Sequence, residues 1–234
     1  MTPFFQEILS KMPLLEDMIK ILSRYGDVYV DGLVGTLWIS AVTVVLGTLL
    51  GGIIALMKLT NFKLLNWLVD VYIEIIRGTP VLLQIYFFWL GVPKLLPMLD
   101  LSNTGWIIVA LIVNASAYIA EVIRAGIQAV DKGQTEAAKS LGMSNFNPMT
   151  RIILPQAVKN ILPALCTEFI VMIKQTSLAS VFFVGELTTS FKTIQSATFL
   201  VIPPLLISGL IYLVLNWTLS KVIKVLERRM SESD

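Results

Sequence analysis

Two carboxylates lie within long apolar stretches of this sequence, at Glu121 and Glu168. Placing an ionisable group among apolar neighbours is costly, so such a group is a functional candidate by default. Asn114, Tyr118 and Glu121 follow an i, i+4, i+7 spacing, which puts them on one face of a helix. Carboxylates bind ammonium or guanidinium groups, while an amide and a phenol can orient the rest of a ligand. The set predicts a binding site for an amino acid, and its two acids favour a basic one.

Asn160 precedes Glu168 on the same predicted helix and completes the set of candidate substrate-binding residues. A structural role for the acids stays open. Glu121 and Arg124 are three residues apart and can neutralise each other on one helix. Glu168 can equally have a partner elsewhere in the fold.

The composition excludes several classes of protein. The 234 residues are 56% hydrophobic and 15% charged, with a mean hydropathy of +0.78. A soluble domain has about 25% charged residues, so lipid is the predicted solvent for much of the chain. A net charge of +2 gives no reason to expect nucleic acid. With no histidine and Cys166 as the only cysteine, we predict no disulfide, no metal site and no catalytic residues.

The apolar runs predict an all-α integral membrane protein with five transmembrane helices. The predicted spans are 32–57, 78–93 with an extension at its N-terminal side, 101–120 with its helix continuing through Glu121 to Val130, 156–185 and 193–220. Lysine and arginine concentrate between spans one and two, between three and four, and after span five, whereas the opposite loops hold only Lys94 and Lys192. By the positive-inside rule, the N-terminus lies outside and the C-terminus inside.

Residues 1–28 form a separate predicted segment ahead of one transmembrane domain, 29–230. Apolar residues recur at helical spacing in this segment between charged ones, which predicts an amphipathic helix on the membrane surface. A helix packed on the outer end of the bundle is the alternative. Gly47 and Gly51 form a Gly-x-x-x-Gly pattern that serves close helix packing, either within the bundle or in a dimer.

A charged segment, 131–155, separates the third and fourth predicted spans. Residues 135–141 favour a short helix, and Gly142 can end it in a left-handed conformation that reverses the chain. We predict Met143 and Phe146 as apolar contacts. The candidate docking residues are Glu136, Ala137, Ala138, Lys139, Leu141, Gly142 and Met143. Because the charge distribution puts this loop in the cytoplasm, it is predicted to dock on a cytoplasmic protein.

The loop reads Glu136-Ala137-Ala138, three residues, Gly142, nine residues, then Ile152-Ile153-Leu154-Pro155. This spacing resembles the EAA loop of bacterial ATP-binding-cassette (ABC) importer permeases. Three further stretches are similar to signatures of the polar amino acid uptake branch: Arg77-Gly78-Thr79-Pro80 with Gln84; Ala117-Tyr118-Ile119-Ala120-Glu121 with Arg124, Gly126 and Gln134; and Lys174-x-Thr176-Ser177-Leu178. The resemblance covers roughly residues 30 to 220.

The resemblance implies the type I ABC importer permease fold in a multi-pass protein of the bacterial plasma (inner) membrane. It implies a second permease subunit, identical or homologous, two cytoplasmic ABC ATPase subunits and an extracytoplasmic amino-acid-binding protein. The chain would be a transport subunit rather than an enzyme and would bind no cofactor, since ATP and Mg belong to the ATPase. In the implied mechanism, ATP binding closes the ATPase dimer, the loop moves with it, and the pore turns outward.

An ion-coupled secondary amino acid carrier is the alternative function, with the acids in the spans as proton or sodium sites. Such carriers often contain inverted repeats and broken helices. The sequence has no internal repeat, and a carrier would leave the charged loop unexplained. A membrane scaffold without transport activity is the third possibility, which the acids in the spans disfavour.

Overall fold

The chain is built from helices, as the apolar runs predict. The computed structural model describes residues 13–60, 62–144 and 146–231, and within them it contains no strand. The helices are α1 Pro13–Lys58, α2 Lys63–Gly78, α3 Val81–Tyr86, α4 Val92–Leu95, α5 Asn103–Gln128, α6 Lys132–Ser140, α7 Phe146–Pro148, α8 Leu154–Gln175, α9 Leu187–Thr198 and α10 Ile202–Ser231. Two π-helical turns, Phe87–Gly91 and Met149–Ile153, and a 3-10 helix, Thr176–Phe182, lie between them.

Within the described residues, four helical segments are long and apolar enough to cross a membrane. They are Pro13–Lys58, Asn103–Gln128, Met149–Phe182 and Ile202–Arg228. A fifth span is present if the bent pair Lys63–Gly78 and Val81–Leu95 is counted as one. This arrangement confirms the all-helical membrane class.

The predicted second span is a broken helix. Thr79 and Pro80 have extended backbone, with ψ angles of 146° and 134°. A residue that precedes proline disfavours the helical conformation, so α2 ends at Gly78 and α3 begins after Pro80. The two helical segments on either side of this break meet at 107°. We refer to residues 78–80 as the bend.

The predicted fifth span, 193–220, is wrong at its N-terminal end. Helix α9 ends at Thr198, and Phe199 adopts a left-handed conformation with φ 56°. Helix α10 then begins at Ile202, with Pro203 and Pro204 in its first turn. Proline lacks the N–H that an interior helical position must donate, but it is tolerated in the first turn. The span therefore starts at the proline pair.

Helix α1 is much longer than a single span requires. It has 46 residues and a kink at Tyr25, where φ is −122° and ψ is 18°. At 1.5 Å per residue this is about 69 Å, whereas the hydrocarbon core of a bilayer is about 30 Å thick. The predicted N-terminal segment thus continues from Pro13 directly into the first span, and residues 1–12 lie outside the described part.

The described chain forms two compact units. The first contains residues up to Ser40 together with Ile173–Leu219, and the second contains Ala41–Met172 together with the residues from Ser220 onward. The core of the first unit consists of Ile21, Tyr29, Leu187, Ile194 and Ile207. Because α1 contributes Ile21 and Tyr29 to this core, the described N-terminal part of α1 packs against other helices.

Gly47 and Gly51 bring α1 close to α5 in the second unit. A Cβ atom on Gly47 would lie 2.9 Å from the Cβ of Ala115, and one on Gly51 would lie 2.8 Å from the carbonyl oxygen of Ser116. Both distances are too short for a real side chain, so the glycines permit this approach. The Gly-x-x-x-Gly pattern therefore packs helices within the chain.

Candidate functional site

The predicted polar face of α5 lies against the bend between α2 and α3. Asn114 is only 1% exposed, and its Nδ2 donates a 2.9 Å hydrogen bond to Oε1 of Gln84. The guanidinium of Arg77 lies 5.5 Å from the ring centre of Tyr118. Nη1 of Arg77 also donates to Oε2 of Glu121 at 3.3 Å. The sequence spacing predicted that Asn114, Tyr118 and Glu121 share one face of α5. In the structure, two residues of the same chain contact these three side chains.

Gln84 connects the two sides of the bend. Its Nε2 donates to the carbonyl oxygen of Ile76 at 2.7 Å, to that of Thr79 at 3.1 Å and to Oγ1 of Thr79 at 2.8 Å. The bond to Ile76 satisfies a carbonyl in the last turn of α2, which has no partner within its own helix. Since Oε1 of Gln84 accepts from Asn114, one side chain fixes the bend against α5.

Glu121 is held by two arginines. Arg124 donates to it through Nε at 2.9 Å and through Nη2 at 2.8 Å, while Arg77 makes the longer 3.3 Å contact. Arg124 also donates to Oε1 of Gln128 at 3.0 Å. Paired N–H···O bonds from one guanidinium to one carboxylate are among the strong hydrogen bonds of proteins. The possibility that Glu121 and Arg124 neutralise each other is therefore realised in the structure.

Glu168 on α8 differs from Glu121, because its carboxylate has no ion pair or hydrogen bond among the residues that the structure describes. Its side chain is partly buried, and Asn160 and Thr167 on the same helix are exposed. Thr167 donates only to the carbonyl oxygen of Pro163 one turn earlier, at 3.2 Å. Helix α8 thus presents an unpaired acid beside exposed polar groups within a candidate span.

Helices α5 and α8 contact each other at Gly126. A Cβ atom on Gly126 would lie 3.5 Å from the carbonyl oxygen of Ala157 and would also meet Ile161, so α5 and α8 touch where one ends and the other begins. Counting seven residues along each helix from the pair Gly126 and Ile161 reaches Ile119 and Glu168. At 1.5 Å rise per residue, Ile119 and Glu168 are each about 10.5 Å along their own helix from this contact.

The charged loop contains a well-capped short helix, α6. Asp131 accepts a 2.6 Å hydrogen bond from the backbone N–H of Gly133 at its N-terminus. At its C-terminus, the N–H of Met143 donates to the carbonyl of Ala138 at 3.1 Å and that of Gly142 donates to Lys139 at 2.9 Å. With Gly142 at φ 77°, this is a Schellman motif. Gly142 thus has the left-handed conformation that was predicted for it.

Leu141 is the most exposed large apolar residue in the described part of this loop, with 83% of its surface accessible. Ala138 is the one buried residue of α6, whereas Glu136, Ala137 and Lys139 are exposed. Met143, a predicted apolar contact, is partly buried. The other predicted contact, the side chain of Phe146, lies outside the described part. The loop therefore exposes a leucine beside a rigid reversal of the chain.

Glu186 is a buried acid that the sequence reasoning missed. It is 0% exposed and accepts bonds from the backbone N–H groups of Thr188 at 2.7 Å and Thr189 at 2.6 Å. Oγ1 of Thr189 donates to it at 2.9 Å, and the Tyr212 hydroxyl donates at 3.1 Å. Glu186 caps α9 and joins it to α10, and burial raises the pKa of its carboxyl. The sequence signal for this cap was an acidic residue directly before α9.

Comparison with known proteins identifies the type of protein. Residues 47–232 match the family described as binding-protein-dependent transport system inner membrane component. The chain is 38% identical over 204 residues to the arginine transport system permease protein ArtQ of Bacillus subtilis (strain 168), covering 87% of this chain and 93% of ArtQ. It is 39% identical over 215 residues to the probable glutamine ABC transporter permease protein GlnM of the same organism, covering 92% and 99%.

A solved structure has the same fold. The crystal structure of an amino acid ABC transporter with histidines contains a chain that is 43% identical, with a TM-score of 0.85, and the match covers 89% of this chain and 96% of that one. A multi-pass helical chain with these relatives is an amino acid ABC importer permease of the bacterial inner membrane, a transport subunit whose ATP is hydrolysed by separate chains. This chain belongs to the binding-protein-dependent transport system inner membrane component family.

Proposed function

We propose that this permease moves a basic amino acid into the cytoplasm. The observation that carries the proposal is Glu168, a partly buried carboxylate in a candidate span without a partner in the described chain. An unpaired carboxylate is expensive in a membrane, so it requires a cation or a proton. The side chain of arginine, lysine or protonated histidine supplies that cation. The 38% identity with the arginine permease ArtQ supports the same class of substrate.

The proposed substrate site lies between α5 and α8. Its residues are Asn114, Tyr118, Glu121, Asn160 and Glu168. In this arrangement Glu168 binds the cationic side chain and the exposed Asn160 lies on the same helix. The polar face of α5 forms the opposite wall of this proposed site.

The exposed polar face of α8 also supports a second permease subunit, identical or homologous. Asn160 and Thr167 lie on the exposed side of a helix that is otherwise suited to lipid. Polar side chains within a span face a protein neighbour or a water-filled path rather than lipid. We expect a partner subunit to enclose this face and to form the pathway together with it.

The loop 131–155 transmits the action of the ATPase. Lysine and arginine concentrate on its side of the membrane, which supports a cytoplasmic position, with the N-terminus outside and the C-terminus inside. The exposed Leu141 next to the Schellman turn suits insertion into a groove of the ATPase. The proposed contact residues are Glu136, Ala137, Ala138, Lys139, Leu141, Gly142 and Met143. Two ATPase subunits with ATP and Mg, and an extracytoplasmic amino-acid-binding protein, complete the importer, and this chain binds no cofactor.

The test is transport by the complete importer in proteoliposomes, with its ATPase and binding protein. We expect ATP-dependent uptake of L-arginine in preference to L-glutamine. A hydrogen bond to a charged group contributes about 1.5–3 kcal/mol, so Glu168→Gln should lower arginine uptake about 10- to 100-fold while leaving basal ATP hydrolysis in place. Glu74→Gln removes an exposed acid and should transport as the wild type does.

Two results would contradict this proposal. Unchanged arginine uptake by Glu168→Gln would remove the carboxylate from substrate recognition. A wild-type importer that prefers glutamine would overturn the basic specificity and leave the amino acid permease assignment intact.

A further inference from the structure

The ion cluster at the bend carries one more positive than negative charge. Arg124 forms a two-bond pair with Glu121, and Lys58 pairs with Asp70. These two pairs are each neutral. Arg77 is the fifth member of the cluster, and in the described part of the chain it has no carboxylate that it does not share with Arg124.

Arg77 has hydrogen-bonding capacity that this fold leaves open. Among the described residues its one ion pair is the 3.3 Å contact to Glu121, whose two oxygens already accept from Arg124 at 2.9 and 2.8 Å. A guanidinium has five N–H donors, and the Arg77 side chain is 44% exposed. The Tyr118 ring lies beside this guanidinium at 5.5 Å, and the Tyr118 hydroxyl has no hydrogen bond among the described residues. The location thus offers free donors and a net positive charge.

We infer that Arg77 binds the α-carboxylate of the transported amino acid, with Tyr118 supporting the guanidinium. This inference rests on the proposed substrate site and assigns the end of the substrate that Glu168 does not bind. A planar guanidinium matches a carboxylate with two parallel N–H···O bonds, which a single ammonium cannot reproduce. Arg124 neutralises Glu121, so Glu121 acts as a positioning residue for Arg77 and not as the ligand of a cation.

The opposite arrangement is electrostatically unfavourable. A cationic side chain placed at Glu121 would join two arginines around a single carboxylate, and like charges at such distances repel. A carboxylate placed at Arg77 instead cancels the excess charge of the cluster. The unpaired Glu168 on α8 remains for the cation.

The experiment measures equilibrium binding to the permease–ATPase complex in nanodiscs, without the binding protein, whose own selectivity would mask the effect. The probes are L-arginine, L-glutamine and the α-carboxamide of each, which lacks the carboxylate charge. We expect Arg77→Gln to raise the Kd of both acids about 10- to 100-fold and to leave the Kd of both amides unchanged, as befits the loss of a charge-assisted bond. Lys63→Gln removes an exposed positive charge at the first residue of α2 and should bind as the wild type does.

Arg77→Lys keeps the charge without the planar fork and should lie between the wild type and Arg77→Gln. If Arg77→Gln does not assemble, Arg77→Lys is the deciding variant. A ratio of acid Kd to amide Kd equal to that of the wild type would then overturn the inference. So would an equal loss of acid and amide binding in Arg77→Gln, or a wild-type complex that does not prefer acids.

Lipid phosphate is the other anion that Arg77 could meet. An effect of Arg77→Gln that persists in purely zwitterionic lipid supports substrate binding, whereas an effect confined to anionic lipid overturns it. If acids are preferred through Arg77 but glutamine binds as well as arginine, the inference holds and only the basic specificity of the proposed function fails.

Discussion

Asn114 on α5 and Gln84 on α3 form an amide pair within the second unit, joined by a 2.9 Å hydrogen bond. Both side chains are buried. Gln84 also donates to two carbonyls and one hydroxyl around the bend. Because its four hydrogen bonds reach both the end of α2 and the middle of α5, this one residue holds the bend against α5.

Gln84→Met tests this role. Methionine has a similar length but replaces neither the amide donor nor the acceptor, so the carbonyl of Ile76 and the amide of Asn114 lose their partner. Each buried polar group left without a partner costs about 1–3 kcal/mol. We expect the apparent melting temperature of the purified permease to fall by about 2–4 °C per kcal/mol lost. Gln134→Met changes an exposed glutamine and should leave the melting temperature unaltered. Equal melting temperatures for the two variants would contradict the role of Gln84.

Two adjacent glycines of α1 give a matched test of the packing between α1 and α5. A Cβ on Gly51 would lie 2.8 Å from the carbonyl oxygen of Ser116, whereas one on Gly52 would lie 4.0 Å from Cδ1 of Ile123. Inserting a methyl group into a tight contact costs about 1–3 kcal/mol. Thermal unfolding should therefore show Gly51→Ala less stable than the wild type and Gly52→Ala unchanged or slightly more stable. The reverse order would mean that α1 does not rest on α5 through Gly51.

The spans and the short helix of the loop followed from the sequence, because they depend on local composition. Uncharged runs marked the membrane helices, and Gly142 marked the end of α6. The start of the last span was wrong because the break at Phe199 puts a bulky residue at φ 56°, a conformation that propensity does not predict for phenylalanine. Pro203 and Pro204 carried the correct signal, since proline is tolerated at a helix start.

The candidate site was predictable as a face but not as a set of contacts. The spacing of Asn114, Tyr118 and Glu121 fixed their common side of α5. Their partners Gln84 and Arg77 are 30 and 44 positions away in the sequence, and only tertiary packing brings them together. Periodicity within one helix contains no information about such partners, so the same pattern is compatible with a ligand or with a protein neighbour.

Glu186 provides a test of the junction between α9 and α10. Glu186→Gln keeps one of the two oxygens that accept from the N–H groups of Thr188 and Thr189, whereas Glu186→Ala removes the whole cap and the partner of Tyr212. Loss of a helix N-cap costs about 0.5–2 kcal/mol. We expect the alanine variant to unfold at a clearly lower temperature than the glutamine variant. Equal melting temperatures for the two variants would show that capping by Glu186 contributes nothing measurable.

The pH dependence of stability tests the environment of the same residue. Burial raises the pKa of the Glu186 carboxyl above its ordinary value of 4.5, so the folded protein binds this proton more tightly than the unfolded chain does. Stability from this group is therefore lost as the pH rises from the ordinary pKa through the raised one. The melting temperature of the wild type relative to Glu186→Gln should fall as the pH rises above about 4.5. A rise over that range would mean that the hydrogen bonds to the carboxylate outweigh its burial.

Gly142 links the local backbone to the proposed action of the ATPase. Its φ of 77° is accessible to glycine, tolerated by asparagine and strained for other residues. No atom lies within 4 Å of a Cβ built there, so any effect of substitution comes from the backbone and not from a clash. A side chain at this position introduces backbone strain of about 1–2 kcal/mol, which should reorient Leu141. The amount of ATPase that co-purifies with the permease should therefore decrease from the wild type to Gly142→Asn, then Gly142→Ala, then Gly142→Val. The control is Gly209→Ala, a position that also has open space for a Cβ, and it should keep full ATPase binding. If Gly142→Val recovers as much ATPase as the wild type, the turn does not set the docking surface.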